Sequence, residues 1–519
     1  MVTRDAVQDE VIEFLSDPRT HGAPVERIDT HCSIVFLAGE RALKLKRAIR
    51  LPYLDYSTLA LRGALCAAEV ALNRRTAPTL YEGTVAVTRA PDGRLALDGA
   101  GEPVEYLVAM RRFPDEALFE TLARAGRLDS ALVEDAARAT ARLHACAEIR
   151  RDHGGRAALS WLLDTNAAAF APAIPEVFAL KDVAELGRLQ RAELARHAAL
   201  LDARREDGRV RRCHGDLHLR NIVLLDGRAT PFDGIEFDDR LACIDVLYDL
   251  AFLLMDLAHR GLDRLANAAF NAYLEEADEA GGLALLPLFL SLRATVRAHV
   301  GAAAAALAPA ADAEGQRAAT RAYLGRARTC LDSVPAKLVA VGGLSGTGKT
   351  TLARAIAPAI GPPPGALVLR SDVLRKRLMG AQALERLPAH AYGPETTRRV
   401  YAEIGARAAL ALGAGRAVIA DAVFARPEER AAIAAIAAHV GVKFQAVWLE
   451  APLALRGPRL DQRRNDASDA TAEIARLQDG YDIGAMDWPR VPATSVPGAV
   501  ADAAARLLGF DHIMGVSIK

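Results

Sequence analysis

The stretch Lys337-Leu-Val-Ala-Val-Gly-Gly-Leu-Ser-Gly-Thr-Gly-Lys-Thr-Thr351 decides the architecture of the last third of the chain. An apolar run reads as a buried strand, a glycine-rich turn follows, and Thr351-Leu-Ala-Arg-Ala-Ile-Ala357 has helix character. The spacing Gly343-x4-Gly348-Lys349-Thr350 is that of a phosphate-binding loop. Glycines at 343, 346 and 348 allow backbone N–H groups to converge on phosphate oxygens, and the helix N-terminus adds a favourable dipole. The expected nucleotide contacts are Gly343, Ser345, Gly346, Thr347, Gly348, Lys349, Thr350 and Thr351. Lys349 is aimed at the β- and γ-phosphates, and the Thr350 hydroxyl at Mg2+.

Strands are expected at 366–369, 417–420 and 444–449, separated by helical stretches, which predicts a parallel sheet covered by helices. Two acids fall at strand ends, where ligands bind in such sheets. Asp372 lies where an acceptor hydroxyl would be met, and Asp421 where the magnesium shell would be oriented. Arg456, Arg459, Arg463 and Arg464 precede Asp466 and Asp469, a segment able to close over transferring phosphate.

Upstream the pattern changes. A hairpin is expected over 33–46, a helix over about 57–76, strands over 84–88 and 105–110, and mainly helix over 115–205. Short strands over 221–225 and 229–232 flank a turn at Asp226-Gly227, and residues 245–330 return to helix, with the alanine-rich 302–313 inside it. This is a two-lobed, kinase-like plan. His214-Gly-Asp216-x4-Asn221, followed by Asp233, supplies its chemistry. Asp216 can accept the proton of an acceptor hydroxyl, Asn221 and Asp233 can hold Mg2+ against ATP, and His214 is expected to brace the loop. Lys44 and Lys46 share one strand face, and either can grip the phosphates with Glu69 as ion-pair partner, Lys44 being favoured. By position, the backbone of 105–110 is the expected adenine-reading hinge.

The 519 residues allow two to four domains, and the sequence boundary falls near Ser333 and Pro335, giving domains 1–333 and 334–519. Formal net charge is zero and aromatics are 5%, which argues against a nucleic-acid partner. Six cysteines without a CxxC pair suggest neither zinc nor disulfides, so a cytoplasmic location is expected. The apolar runs near 247–258 and 281–292 read as too short for a bilayer, which needs about 20 residues.

The C-terminal part, on GLSGTGKTT, Ser371-Asp372, Val418-Ile-Ala-Asp421 and the Arg459/Arg463-then-Ser468-Asp469 stretch, resembles the P-loop kinase group of polynucleotide kinase, gluconate kinase and zeta-toxin-like proteins. The resemblance implies that Asp372 activates a substrate hydroxyl and that Arg459 and Arg463 belong to a lid. The N-terminal part, on His214-Gly-Asp-Leu-His-Leu-Arg-Asn221, Phe232-Asp233-Gly-Ile-Glu-Phe-Asp and Asp245-Val-Leu-Tyr-Asp249, resembles the aminoglycoside phosphotransferase family. That resemblance implies Asp216 as catalytic base, Asn221 and Asp233 as metal ligands, and Asp249 as a brace for the catalytic loop. The whole chain looks like the bacterial proteins that fuse such a kinase to a P-loop ATPase. The expected function is a bifunctional ATP- and Mg2+-dependent phosphotransferase acting on a hydroxyl of a small molecule. Two alternatives stand beside it: a C-terminal nucleotide sensor that gates the first domain, and a nucleic-acid or nucleotide kinase.

Overall fold

The hairpin expected at 33–46 forms as the strands Ser33–Ala38 and Arg41–Lys46 in a computed structural model. The structure describes residues 6–51, 54–307, 310–382, 384–462 and 466–510. The hairpin belongs to a six-stranded antiparallel sheet in the order 25–29, 33–38, 41–46, 102–111, 81–89, 95–97. Period-two alternation splits its residues between two faces. Ile34, Phe36, Leu43, Leu45, Val85 and Leu107 pack under the N-terminal helix through Val11 and Leu15. Ala42, Val108 and Met110 pack on the other face with Cys66 and Val70 of the helix Leu59–Asn73, so Lys44 and Lys46 point toward that helix. The strand Val25–Asp29 escapes sequence reading because Val-Glu-Arg-Ile-Asp lies on a sheet edge, largely exposed, and has no apolar alternation.

The chain divides into two compact units, Met1–Asp164 with Ala198–Asp256, and Thr165–His197 with Leu257–Lys519. In the first, Val210–Arg212 pairs with Cys243–Asp245, and Ile222–Leu225 with Arg228–Pro231, around the His214–Asn221 loop. The helices Ser130–Cys146 and Val246–His259 lie around it.

In the second unit the parallel sheet has the order 367–370, 418–421, 337–343, 443–450, 490–492. Val339, Val341, Ile419, Val447 and Leu449 bury against Leu352 and Ile356 of the helix that follows the glycine loop. The short outer strand Arg490–Pro492 carries too little apolar signal to be read from sequence. Residues 302–307 and 310–313 are helical as expected, while 308 and 309 lie outside the described residues. The apolar run at 281–292 is not confined to a short segment. It continues to give Ala280–Ala306, long and apolar enough to cross a membrane by length and composition, although 67% of its most apolar window is buried, as in a core helix.

Candidate active sites

Asp249 organises the first site. Fully buried in the helix Val246–His259, its carboxylate accepts from the His214 N–H at 3.0 Å and the Gly215 N–H at 2.9 Å, and lies 3.0 Å from His144 Nε2. Gly215 has φ +86°, and a Cβ there would lie 3.0 Å from the Leu241 carbonyl oxygen, so the turn requires glycine. His214 Nε2 lies 2.8 Å from the Phe232 carbonyl, and its Nδ1 accepts from the Asp216 N–H at 3.3 Å. Both contacts fit a neutral ring, and burial pushes its pKa down. His214 is thus a brace.

This scaffold presents Asp216 with its side chain 38% exposed. Asn221 Nδ2 donates to the Asp216 carboxylate and to its carbonyl, both at 2.9 Å, and the Phe232 N–H donates to the Asn221 carbonyl at 2.9 Å. That ties the catalytic loop to the segment carrying Asp233. Asp233 sits in the left-handed region at φ +60°, an unfavourable place for a non-glycine residue. Two contacts from the N-terminal sheet and its helix hold it there. The Asp233 N–H donates to the Tyr81 hydroxyl at 3.1 Å, and the Gly234 N–H to Asn73 Oδ1 at 2.8 Å.

The two lysines separate by depth. Lys44 Nζ reaches both Glu69 (2.9 Å) and Asp233 (2.5 Å), whereas Lys46, 1% exposed, bridges Glu69 and Glu236. Burial works against both ammonium charges, but Asp233 and Glu69 outweigh it at Lys44, and Glu69 and Glu236 at Lys46, so both pKa values rise. Burial also penalises the Glu69 carboxylate, and the two lysines overcome this to hold it down to about 2. Glu236, also bonded by Tyr56, was not singled out by sequence reading, although the Asp233-Gly-Ile-Glu spacing was its signal.

The expected hinge is displaced. Residues 107–110 pair with 42–45 on one side and with Tyr81–Val85 on the other. Through 107–110 the strand has its N–H and C=O groups engaged in both ladders, so these residues cannot read a base. Glu105 is instead buried against Arg62 at 2.8 Å and Gln8 at 2.8 Å. The chain leaves the sheet only beyond Arg111, toward Phe113, whose ring meets Phe232 edge-on.

In the second unit Gly346 and Gly348 have φ of +84° and +94°, and a Cβ at Gly346 would lie 2.7 Å from the Arg456 carbonyl oxygen. Thr350 Oγ1 donates to Asp421 at 2.6 Å, and Lys349 Nζ donates to the Leu344 carbonyl at 3.2 Å. Thr347 turns its hydroxyl inward to the Leu344 carbonyl. The helix Lys349–Ile356 begins at the loop, with Thr351 exposed in its first turn. Asp421 is 4% exposed, and burial raises its pKa despite Lys349, Arg370 and the Thr350 hydroxyl. A buried carboxylate beside a hydroxyl is a donor set suited to Mg2+.

Asp372 opens the helix Ser371–Leu378, and its charge is felt at Asp421, Arg370 and Tyr392. Of the arginines, Arg456 is buried and braces Ala451 and Asp479, and Arg459 donates to the Ala493 carbonyl at 2.9 Å. Arg463 and Arg464 lie outside the described residues. Sequence reading also passed over Gln478, whose Oε1 accepts from the Ser345 N–H of the glycine loop at 2.7 Å.

Each part of the chain matches a family of known proteins. A model described as the phosphotransferase enzyme family matches residues 62–285, and one described as an AAA domain matches 338–482. An uncharacterized protein of Mycobacterium tuberculosis is 30% identical over 455 residues, covering 86% of this chain and 88% of the relative, and a Mycobacterium bovis protein matches equally. Among solved structures, a choline/ethanolamine kinase family protein from Mesorhizobium loti is 16% identical, with TM-score 0.37, over 63% of this chain and 99% of its own. An APS kinase from Mycobacterium tuberculosis is 23% identical, with TM-score 0.27, over 34% of this chain and 99% of its own.

Proposed function

We propose two phosphoryl-transfer sites, from the premise that this chain belongs to the family of its mycobacterial relatives, joining a phosphotransferase-family domain to a P-loop domain. The matched domains mark an ATP-dependent kinase. The N-terminal domain, drawn at 1–333, transfers the γ-phosphoryl group of ATP to a hydroxyl of a small molecule such as a sugar or amino sugar. The C-terminal domain, 334–519, binds ATP through Gly343–Thr351 and phosphorylates a second acceptor. The carrying observation is the convergence of Asp216, Asn221, Asp233 and Lys44, linked by hydrogen bonds across the sheet and the catalytic loop.

In the first site Asp216 takes the acceptor proton while the hydroxyl oxygen bonds to the γ-phosphorus. The bond from that phosphorus to the bridging oxygen breaks, and ADP leaves. Lys44, fixed by Glu69, neutralises phosphate charge. In the second, Asp372 plays the part of Asp216, Lys349 holds the phosphates, and Arg459 and Arg463 belong to the lid. Mg2+, when bound, offsets the charge of the phosphates; Asn221 with Asp233, and Thr350 with Asp421, would hold it.

The test is a mass-spectrometric screen of a metabolite extract with ATP, comparing the full chain with Asp216→Asn and Lys349→Ala. Asp216→Asn is expected to cut one set of phosphorylated products about 10²–10⁴-fold, and Lys349→Ala a different set. Wild-type product formation by Asp216→Asn would remove the catalytic assignment. Loss of no product in Lys349→Ala would leave the C-terminal domain as a nucleotide sensor.

A further inference from the structure

The helix Asp263–Glu276 lies in the segment matched by the phosphotransferase family, yet it folds in the same compact unit as the P-loop sheet. Asn267, Asn271 and Glu275 recur every four residues and therefore share one helix face. That face runs along the outer strand Leu367–Arg370, which pairs with Val418–Asp421 on its other side.

Asn271 meets this strand as a peptide group would. Its Oδ1 accepts from the Val368 N–H at 2.7 Å, and its Nδ2 donates to the Ala366 carbonyl at 3.2 Å. Asn267 Nδ2 donates to the Ala366 and Pro364 carbonyls at 3.1 and 3.0 Å. Backbone groups that would otherwise form a bare sheet edge are thereby satisfied.

One turn further, Glu275 lies 3.6 Å from Arg370 Nη1, while Arg370 Nη2 donates to Asp466 at 2.6 Å. Arg370 is 6% exposed, and among the described residues its Nε is buried without a partner. It ends the strand two residues before Asp372, and the charges of Asp421 and Asp372 both act on it. Asp466 lies two residues beyond Arg464 in the sequence. Glu275 therefore acts on a guanidinium that joins the end of the strand before Asp372 to Asp466.

We propose that Glu275 is a positioning residue for the P-loop reaction, holding Arg370, and through it Asp466, in the arrangement that turnover requires. A helix of the phosphotransferase segment thus sets the rate at the P-loop site. The inference rests on the reading of Gly343–Thr351 as an ATP site. Its logic is electrostatic and geometric. Without Glu275 the buried guanidinium keeps one carboxylate instead of two, and Arg370 is free to shift toward Asp466 and Asp421.

The experiment uses the full chain carrying Asp216→Asn, which silences the other site. Magnesium-dependent ATP hydrolysis, affinity for a fluorescent ATP analogue and thermal unfolding are measured with and without Glu275→Gln, an isosteric neutral change. Hydrolysis is expected to fall roughly tenfold in kcat, while KM and nucleotide affinity stay unchanged because Lys349 and Thr350 are untouched. Unchanged kcat would overturn the proposal, as would kcat, affinity and melting temperature falling together, the mark of a merely structural role. Lys349→Ala in the same background tests the premise separately. If it leaves hydrolysis intact, the ATP-site reading fails and the proposal with it; if it abolishes hydrolysis while Glu275→Gln does not change it, only the proposal fails.

Discussion

Asp249→Asn is the most informative single change at the first site. The carboxylate is fully buried and accepts two backbone N–H bonds, from His214 and Gly215, with His144 Nε2 alongside its Oδ2. Asparagine keeps one carbonyl oxygen but presents an amide N–H2 where the second oxygen stood, so a donor faces a donor. Each bond to a charged acceptor contributes about 1.5–3 kcal/mol, and leaving a buried N–H unpaired costs about 1–3 kcal/mol. The expected loss is therefore about 3 kcal/mol, large against a typical total of about 5–15 kcal/mol. The catalytic loop feels it most directly, because the lost bond is at His214 or Gly215, one or two residues from Asp216. A loop displacement near 1 Å is enough to lower kcat about 10²-fold. The assay pairs thermal melting followed by circular dichroism with Asp216-dependent ATP turnover in a Lys349→Ala background. A variant that melts like the parent and keeps its turnover would refute the claim that Asp249 holds the loop.

The two lysines should fail differently. Lys46→Met leaves Glu69 and Glu236 buried with less compensation and should cost about 3–5 kcal/mol of stability in urea unfolding. Lys44→Met, beside an Asp233 side chain that is 42% exposed, should cost less stability but lower kcat by about 10² or more; equal effects in both assays would contradict this division. His299 supplies a pH signature, since burial holds its imidazole down at about 4 against an ordinary 6.5. The unfolded chain then takes up the proton first, so stability falls as pH drops from 6.5 through about 4, by about 3 kcal/mol in all. His299→Gln should flatten the melting temperature over that range, and an unchanged slope would show that the acid sensitivity lies elsewhere.

What the sequence disclosed follows from what local spacing can encode. The turns at Gly215, Gly346 and Gly348 demand left-handed backbone, so their glycines stand out beside His214, Asp216 and Lys349. The hairpin 33–46 shows through the unbroken apolar run Ile34-Val-Phe-Leu-Ala38 and the glycine turn after it, because both its faces are buried. Contacts that join distant segments have no such local signal. Tyr81 and Asn73 hold the Asp233 turn across more than 150 residues of sequence. The hinge was misplaced because an apolar strand gives no mark of where its pairing ends, and pairing on both sides runs through Met110. Asn267 and Asn271 did leave a trace. Two asparagines four apart inside a helix are poor helix formers, and such a pair implies a compensating bond.

At both proposed sites the groups assigned to phosphate and metal are engaged with one another or with the loop backbone. At the first, the proposed phosphate ligand Lys44 is already bonded to the proposed metal ligand Asp233. At the second, the Thr350 hydroxyl is bonded to Asp421, and Lys349 rests on the loop carbonyl of Leu344. A cation arriving alone at Asp233 must displace an ammonium that Glu69 holds only in part, so it exchanges one positive partner for another with little net gain. Phosphates arriving with the cation would give Lys44 a new anion in place of Asp233, which would then hold the metal, so both charges would stay compensated. On the assignments proposed above, entry of nucleotide and metal together would be favoured over entry of either alone, with Lys44 carrying the coupling. The Lys44→Met chain isolates that coupling, because in it Asp233 is free to meet the cation before any nucleotide is present.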